Sequence, residues 1–291
     1  MKLNSEEVLT PPRPAASVIL LRDGDQGMEV LLLRRAGESN AFGGAYVFPG
    51  GKLDREDSEI DLLERLDTGL ERLHSALGEP GTEVPIAAAL FIAAIRETFE
   101  EAGVLLAPGI AQELTDLLSA RQREGLSFAD VLAESNQRLA ASMMHPWSRW
   151  ITPRVPSLTT KRFDTRFFVA EMPVGLEARH DQREATEAWW TSPRHALERY
   201  WAKEIVLAPP QIQSLAHLSR HDSVASAIAE AGSRPPPTIE PEPFEVDGNR
   251  VIAYPGDERH PVRERAMPGP SRLSFRNGRF EPEGGFDAFF N

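Results

Sequence analysis

The hydrophobic pattern of the N-terminal part predicts a β-hairpin and a short third strand. Residues 16–22 and 28–34 are two aliphatic runs, and an Asp/Gly-rich segment separates them. Bounded aliphatic runs around such a segment are typical of two strands joined by a tight turn. Residues 45–48, Ala-Tyr-Val-Phe, predict a third strand that ends at the Pro-Gly-Gly of residues 49–51.

Helical periodicity dominates the next part of the chain. Leucines at helical spacing predict a helix over residues 58–77. A second helix is predicted over residues 85–102, because proline is favoured in a first turn and a glycine follows the last apolar position. Further helices are predicted near residues 110–120, 127–142, 193–202 and 209–221, and further strands at 147–151, 163–170 and 185–190.

This order of strands and helices predicts a mixed α/β (α+β) domain over residues 14–231. Residues 1–13 are polar and Pro-rich, and we expect them to be flexible. Ten of the 24 prolines fall after residue 232, yet residues 244–254 and 271–280 have hairpin patterns. We therefore expect residues 232–291 to form a small β appendage that packs on the main domain.

Composition excludes several kinds of site. The chain has no cysteine, which excludes disulfides, zinc–thiolate sites, iron–sulfur clusters and thiol nucleophiles. Acidic residues outnumber basic ones 44 to 32, and a net charge of −12 disfavours nucleic acid as a partner. The pattern contains neither a signal-peptide-like run nor an apolar stretch of ~20 residues, so we expect a cytoplasmic protein without a membrane partner.

The helix predicted over residues 85–102 carries the strongest chemical signal. Glu97, Glu100 and Glu101 share one side of it, since positions i, i+3 and i+4 are neighbours on a helix. Three converging carboxylates repel one another unless a cation neutralises them, and oxygen-only ligation suits Mg²⁺ or Mn²⁺. Arg96 precedes Glu100 by four residues and is placed to pair with it. The alternative is a solvated charged face.

These residues resemble the Nudix box. Residues 96–104, Arg-Glu-Thr-Phe-Glu-Glu-Ala-Gly-Val, match the C-terminal half of that pattern, and Phe-Pro-Gly-Gly at 48–51 followed by Asp57 resembles its N-terminal half. Thr98 replaces an aliphatic residue and Asp57 replaces a glutamate. In addition, 38 residues separate Asp57 from Arg96, where the usual box has a much shorter spacer. We interpret residues 58–84 as a helical insertion that leaves the carboxylates on one unbroken helix.

The insertion, the Val-Phe-Pro-Gly-Gly start and the segments at 150–153 and 162–168 together resemble the Nudix branch that contains the peroxisomal acyl-coenzyme A diphosphatases. This resemblance, which covers residues 14–220, implies a Nudix-type α/β/α sandwich with a mixed sheet. It also implies a metal-dependent hydrolase that cleaves the diphosphate of coenzyme A or acyl-coenzyme A. The alternatives are an ADP-ribose or dinucleotide pyrophosphatase, and a catalytically inactive binding or regulatory module.

The resemblance also implies roles for individual residues. Glu97 and Glu101 are the expected metal ligands, with the carbonyl of Gly51 beside them. Glu100 is either a further ligand or the group that deprotonates water, and Arg96 is expected to orient it. A general base or additional ligand is often supplied from a later loop or strand. Glu187 is our first candidate for it and Glu184 the second, against the alternative of a solvated side chain.

Basic residues suggest where substrate phosphates bind. Residues 149–166 hold five basic residues and one acidic residue. We expect Arg154, Lys161 and Arg162 either to face phosphate groups, including a 3′-phosphate on adenosine, or to pair with the acidic insertion. Arg34 and Arg35 have the same two alternatives. The expected partner is a small nucleotide diphosphate, and a homodimer is possible.

Overall fold

The predicted N-terminal hairpin forms the centre of a mixed sheet in a computed structural model of the chain. The structure describes residues 4, 6–37, 43–156, 161–181 and 184–291, so residues 1–3 and 5 of the expected flexible N-terminus lie outside the described residues. The strands of this sheet are β1 (Arg13–Gly24), β2 (Gly27–Arg35), β3 (Tyr46–Val47), β4 (Gly50–Lys52), β5 (Met144–Ile151), β6 (Phe163–Glu171), β7 (Ala185–Thr191) and β8 (Thr238–Ile239).

The sheet runs in the order β3-β2-β1-β6-β5-β8, with β4 paired to β1 and β7 paired to β2. The β1–β6 and β5–β8 pairs are parallel, and the remaining pairs are antiparallel. Val18 and Leu20 of β1 pack into one hydrophobic cluster, and Ile19 and Leu21 pack into a second one on the other face. Burial of both faces explains why this strand is a continuous apolar run.

Helices cover both faces of the sheet. The first layer contains the buried helix α3 (Val84–Ala102) and its neighbours, and the second layer packs on the opposite face. The α/β/α sandwich with a mixed sheet is therefore confirmed. The helices are α1 (Ile60–Leu63), α2 (Leu70–Leu77), α3 (Val84–Ala102), α4 (Gln112–Arg123), α5 (Phe128–Ser135), α6 (Pro193–Trp201), α7 (Pro209–Leu218) and α8 (Val224–Ser233).

The prediction of one continuous helix over residues 58–77 is wrong. Helix α1 ends at Leu63, and α2 begins only at Leu70, after the extended residue Gly69. Between them the chain turns toward Leu139, whose carbonyl accepts the N–H of Asp67 at 3.0 Å. Most of the leucines of this segment are nevertheless buried. Their spacing therefore predicted the buried positions correctly, although the contact with Leu139 interrupts the helix.

One further helix prediction needs correction, and one helix was not predicted. Helix α5 ends at Ser135 rather than near residue 142, because Asn136 adopts a left-handed conformation with φ of 51°. Helix α8, whose buried residues are Val224, Ala227 and Ala231, was not predicted from the sequence. None of the described helices is long and apolar enough to cross a membrane.

The C-terminal extension forms a separate antiparallel sheet, which confirms the two predicted hairpins. Its described strands are β9 (Glu242–Val246), β10 (Asn249–Ala253), β11 (Arg272–Arg276) and β12 (Arg279–Pro282). The sheet packs on α6, where the hydroxyl of Tyr200 donates to the carbonyl of Phe280 at 2.9 Å and the guanidinium of Arg279 lies 4.0 Å from the ring centre of Trp201. Because β8 pairs with β5, residues 238–239 belong to the main sheet although they follow the domain boundary expected at residue 231.

Candidate active site

The Gly-Gly loop and the end of α3 lie directly against each other. Strand β4 pairs with β1 so that Gly51 is opposite Ala16. The N–H of Gly50 donates to Oε2 of Glu101 at 3.0 Å. A Cβ atom on Gly51 would lie only 2.3 Å from Oε1 of Glu97. The loop therefore needs glycine because the carboxylates approach its backbone more closely than any side chain would allow.

Asp57 anchors the arginine of the box. Its carboxylate is fully buried and accepts two bonds from Arg96, Nε to Oδ1 at 2.8 Å and Nη2 to Oδ2 at 3.0 Å. Oδ2 also accepts the N–H of Asp54 at 2.8 Å, which closes the short 3₁₀ turn over residues 55–58. The aspartate that replaces the usual glutamate of the box therefore positions Arg96.

Arg96 in turn orients two of the three glutamates. Its Nη1 donates to Oε1 of Glu97 at 2.8 Å and to Oε2 of Glu100 at 3.1 Å. The other oxygen of Glu100 accepts a hydrogen bond of 2.7 Å from Nε2 of Gln122 on α4. Both oxygens of Glu100 are therefore engaged by the protein. Sequence reasoning missed Gln122, since no local pattern connects α4 with α3.

Burial disfavours the ionised form of all three carboxylates. Burial raises the pKa of Glu97 to about 7 and that of Glu101 to about 8, and it also raises the pKa of Glu100. Arg96 opposes this effect at Glu97 and Glu100, and the N–H of Gly50 opposes it at Glu101. A bound cation would relieve the remaining cost of ionising the buried carboxylates.

Two charged residues near the ends of β2 and β7 change the pKa values of the buried glutamates. The charge of Glu184 raises the pKa of both Glu97 and Glu101, and the charge of Arg35 lowers that of Glu101. The register of β2 and β7 shifts at Arg35, which is opposite Ala185. The structure therefore associates the second sequence candidate, Glu184, with the carboxylates.

The first candidate, Glu187, has a different environment. It is opposite Arg34 in the β2–β7 pair, and its Oε2 accepts a hydrogen bond of 2.7 Å from the hydroxyl of Tyr46. Tyr46 packs edge-on against Trp189 in the hydrophobic cluster on the α6 side of the sheet. Alternation along β7 places Glu187 and Trp189 on the same face. The strand therefore directs Glu187 toward Tyr46, on the α6 side of the sheet.

The donor set of the cluster fits a hard divalent cation. Glu97 and Glu101 offer carboxylate oxygens beside the Gly50-Gly51 backbone, whereas both oxygens of Glu100 are engaged by Arg96 and Gln122. Mg²⁺ and Mn²⁺ prefer such oxygen ligands.

Residues 7–218 match the family model described as the NUDT19 Nudix domain. The chain belongs to this Nudix family. It is similar to acyl-coenzyme A diphosphatase NUDT19 of Xenopus laevis, with 27% identity over 275 residues, which cover 80% of this chain and 71% of the relative. The same enzyme of Homo sapiens is 31% identical over 256 residues, which cover 75% of this chain and 66% of the relative.

A solved structure agrees with this assignment. The crystal structure of a NUDIX hydrolase from Alicyclobacillus acidocaldarius superposes with a TM-score of 0.60 at 27% identity, and the match covers 76% of this chain and 97% of that one. The Nudix resemblance is therefore confirmed, and the chain is a Nudix hydrolase of diphosphate-linked compounds. Dependence on a divalent metal is typical of such hydrolases.

The basic segment of this Nudix domain pairs in part with the insertion. Arg166 donates to both oxygens of Glu79, at 3.0 and 2.6 Å, and Arg149 lies 3.2 Å from the same carboxylate. Both arginines also pair with Asp164. Glu79 belongs to the insertion over residues 58–84, so Arg149 and Arg166 pair with the acidic insertion.

The predicted phosphate-binding residues of the Nudix domain are separated by the fold. Arg162 is buried, donates to the carbonyl of Thr152 at 2.9 Å and lies 3.6 Å from Glu240, so its guanidinium links Thr152, in the β5–β6 connection, to Glu240 after β8. Phosphate binding by Arg162 is therefore not supported. Arg154 and Lys161 are exposed on the same connection, and Arg34 is exposed at the end of β2.

Proposed function

We propose that this Nudix domain hydrolyses the diphosphate bond of coenzyme A or acyl-coenzyme A. The observation that carries the proposal is the close approach of Glu97 and Glu101 to the Gly50-Gly51 backbone, with Arg96 held in place by Asp57. The names of the relatives support the choice of substrate class. Water would add to one phosphorus and the bridging P–O bond would break, giving adenosine 3′,5′-bisphosphate and a phosphopantetheine product.

Glu97, Glu101 and the carbonyl of Gly51 would hold Mg²⁺ or Mn²⁺. When bound, such an ion stabilises negative charge on the diphosphate oxygens and makes water a better nucleophile. Arg96 holds Glu97 in a defined rotamer through the 2.8 Å bond to Oε1. Gln122 and Arg96 together engage Glu100, which favours an orienting role for that carboxylate over the role of base.

Glu184 is the group that we propose to accept the proton of the attacking water, at a carboxylate oxygen. It is exposed and acts electrostatically on Glu97 and Glu101, as a base beside the reacting atoms should. Arg35 would face the charge of the diphosphate. Arg34, Arg154 and Lys161 stay candidates for a 3′-phosphate contact, and the cytoplasmic location and a homodimer stay predictions.

A product screen tests this function. The purified full chain is incubated with Mg²⁺ or Mn²⁺ and coenzyme A, acyl-coenzyme A, dephospho-coenzyme A, ADP-ribose, NADH or diadenosine polyphosphates, and the products are identified by mass spectrometry. We expect the highest kcat/KM with coenzyme A or its acyl derivatives and complete loss of activity with EDTA. A higher kcat/KM with ADP-ribose or a dinucleotide would overturn the substrate assignment.

Two variants separate the metal site from the fold in the same assay. Glu101→Gln should lower kcat by at least about 100-fold, since removing one preorganised electrostatic group at a reacting centre costs that much. The exposed Glu56→Gln, which removes the same charge from the neighbouring turn, should have wild-type kcat. Unchanged turnover in Glu101→Gln would contradict the proposed metal site.

A further inference from the structure

Two histidines and a glutamate converge on the α6–α8 side of the sheet, away from the Nudix carboxylates. Nε2 of His217, at the end of α7, lies 2.8 Å from Oε1 of Glu230 on α8. Nε2 of His221 lies 3.0 Å from Oε2 of the same carboxylate. One ligand atom from each of the three residues lies within 4.8 Å of the other two. The histidine side chains are only 5% and 8% exposed.

His221 is oriented as a metal-binding imidazole is. Its Nδ1 lies 2.8 Å from the hydroxyl oxygen of Ser226. Its Nε2 is buried and lacks a hydrogen-bond partner among the residues that the structure describes, although it faces Glu230. If Nδ1–H donates to Ser226, the lone pair of Nε2 points at a carboxylate, which is unfavourable unless a cation lies between them. Metal-bound histidines commonly donate their other N–H to an oxygen in this way.

His217 is held in a fixed plane by Trp147, whose ring centre lies 4.4 Å from that of the imidazole. Burial against Trp147 and its neighbours lowers the pKa of His217 to about 4. Its Nε2 lies 2.8 Å from Oε1 of Glu230. Metal binding through Nε2 would use the neutral tautomer in which Nδ1 carries the proton.

Glu230 is kept in place by an arginine. Nε of Arg234 donates to Oε1 of Glu230 at 2.9 Å, and the guanidinium lies over the ring of Trp147. Arg234 and His217 therefore share Oε1, whereas Oε2 is directed toward His221. Partners of this kind orient a metal-binding carboxylate.

We propose that His217, His221 and Glu230 bind a transition-metal ion of the Zn²⁺ class at a site separate from the Nudix centre. Two imidazoles and one carboxylate suit Zn²⁺, whereas Mg²⁺ prefers oxygen ligands. Bonds of ~2.1 Å in tetrahedral geometry place ligand atoms ~3.4 Å apart, so the two contacts with Glu230, now 2.8 and 3.0 Å, would need to open by about half an ångström. The ion would tie the end of α7 to α8, the helix that leads into β8 and the C-terminal sheet.

Cobalt provides a spectroscopic test on the full chain. Glu101→Gln serves as the background, with excess Mg²⁺ present, so that the Nudix centre contributes little Co²⁺ binding. We expect one Co²⁺ per chain with visible absorption typical of nitrogen ligation, displacement of Co²⁺ by Zn²⁺, and a rise in Tm with added Zn²⁺. Absence of stoichiometric binding would show that the three residues form a hydrogen-bonded contact only, and would overturn the proposal.

Matched variants locate the ion. His221→Gln and Glu230→Gln should each weaken Co²⁺ binding by at least about tenfold, as even outer partners of metal ligands do. His195→Gln removes an exposed histidine that lies 3.5 Å from a single carboxylate, and it should bind Co²⁺ as the background does. Cooperative thermal unfolding of each variant shows that it is folded. Binding that is unaffected in a folded His221→Gln or Glu230→Gln protein would refute the site.

Discussion

Replacing Asp57 by asparagine tests how the active site is held together. The substitution keeps the size of a side chain that is fully buried and removes its charge. An amide oxygen can still accept one bond from Arg96, but the amide nitrogen faces a second donor of the guanidinium, where the carboxylate now accepts at 3.0 Å. Arg96 therefore becomes a buried cation with a reduced set of partners.

The magnitude follows from the contacts that survive. Breaking a buried ion pair from one side costs about 3–5 kcal/mol. Arg96 retains its bonds to Glu97, Glu100 and the carbonyl of Lys52, at 2.8, 3.1 and 3.1 Å, and these offset part of that cost. We expect the free energy of unfolding to fall by about 3 kcal/mol. Because Arg96 also orients the carboxylates, kcat should fall by about 10- to 100-fold.

Chemical denaturation in urea and steady-state kinetics measure the two effects. Glu56→Gln is the control, since it removes a carboxylate from the same 3₁₀ turn at an exposed position. A decrease in unfolding free energy below about 1 kcal/mol, together with control-like kcat, would refute the role of Asp57, because such a change is no larger than that of an exposed ion pair.

Three other measurements address the remaining parts of the site. Gly51→Ala should reduce metal affinity and kcat at least about tenfold, because its Cβ would lie 2.3 Å from a carboxylate oxygen, whereas Gly81→Ala, where the added Cβ meets open space, should be neutral. Glu184→Gln should lower kcat by about 10²- to 10⁴-fold, and Glu187→Gln should lower it much less. Stopped-flow or product assays measure both values of kcat. A larger loss in Glu187→Gln than in Glu184→Gln would identify Glu187 as the base. In the metal-free protein, Glu101 has a pKa raised from 4.5 to about 8, so the folded state binds more protons than the unfolded chain between those pH values. Its contribution to stability should therefore decrease as pH rises from 5 to 8.5, and thermal melts should show this loss in the wild type relative to Glu101→Gln.

Local patterns predicted the central sheet and the main helix with little error. The aliphatic runs of the hairpin form β1 and β2, and the helix predicted over residues 85–102 is α3, which covers 84–102. Both patterns extend over many residues, so they predict a strand or a helix whatever elements pack against it. The helix predicted over 58–77 failed for the opposite reason, since the pairing of Leu66 with Leu139 interrupts it and depends on residues far along the chain.

The carboxylates of the site were accessible from sequence because one turn of helix brings Glu97, Glu100 and Glu101 together wherever that helix lies. The contacts between different elements that support the site could not be predicted from the sequence. Arg96 meets Asp57 across 39 residues, Gln122 meets Glu100 across 22, and Arg166 meets Glu79 across 87.

The sequence by itself determined the family, the helix that carries the carboxylates and the need for glycine beside them. Only the tertiary structure showed that Glu187 hydrogen-bonds Tyr46 on one face of the sheet, whereas the charge of Glu184 acts on Glu97 and Glu101. It also brought His217 and Glu230 together. The physical reason is that helical periodicity fixes neighbours within one turn, whereas contacts between elements depend on register and packing that no local pattern encodes.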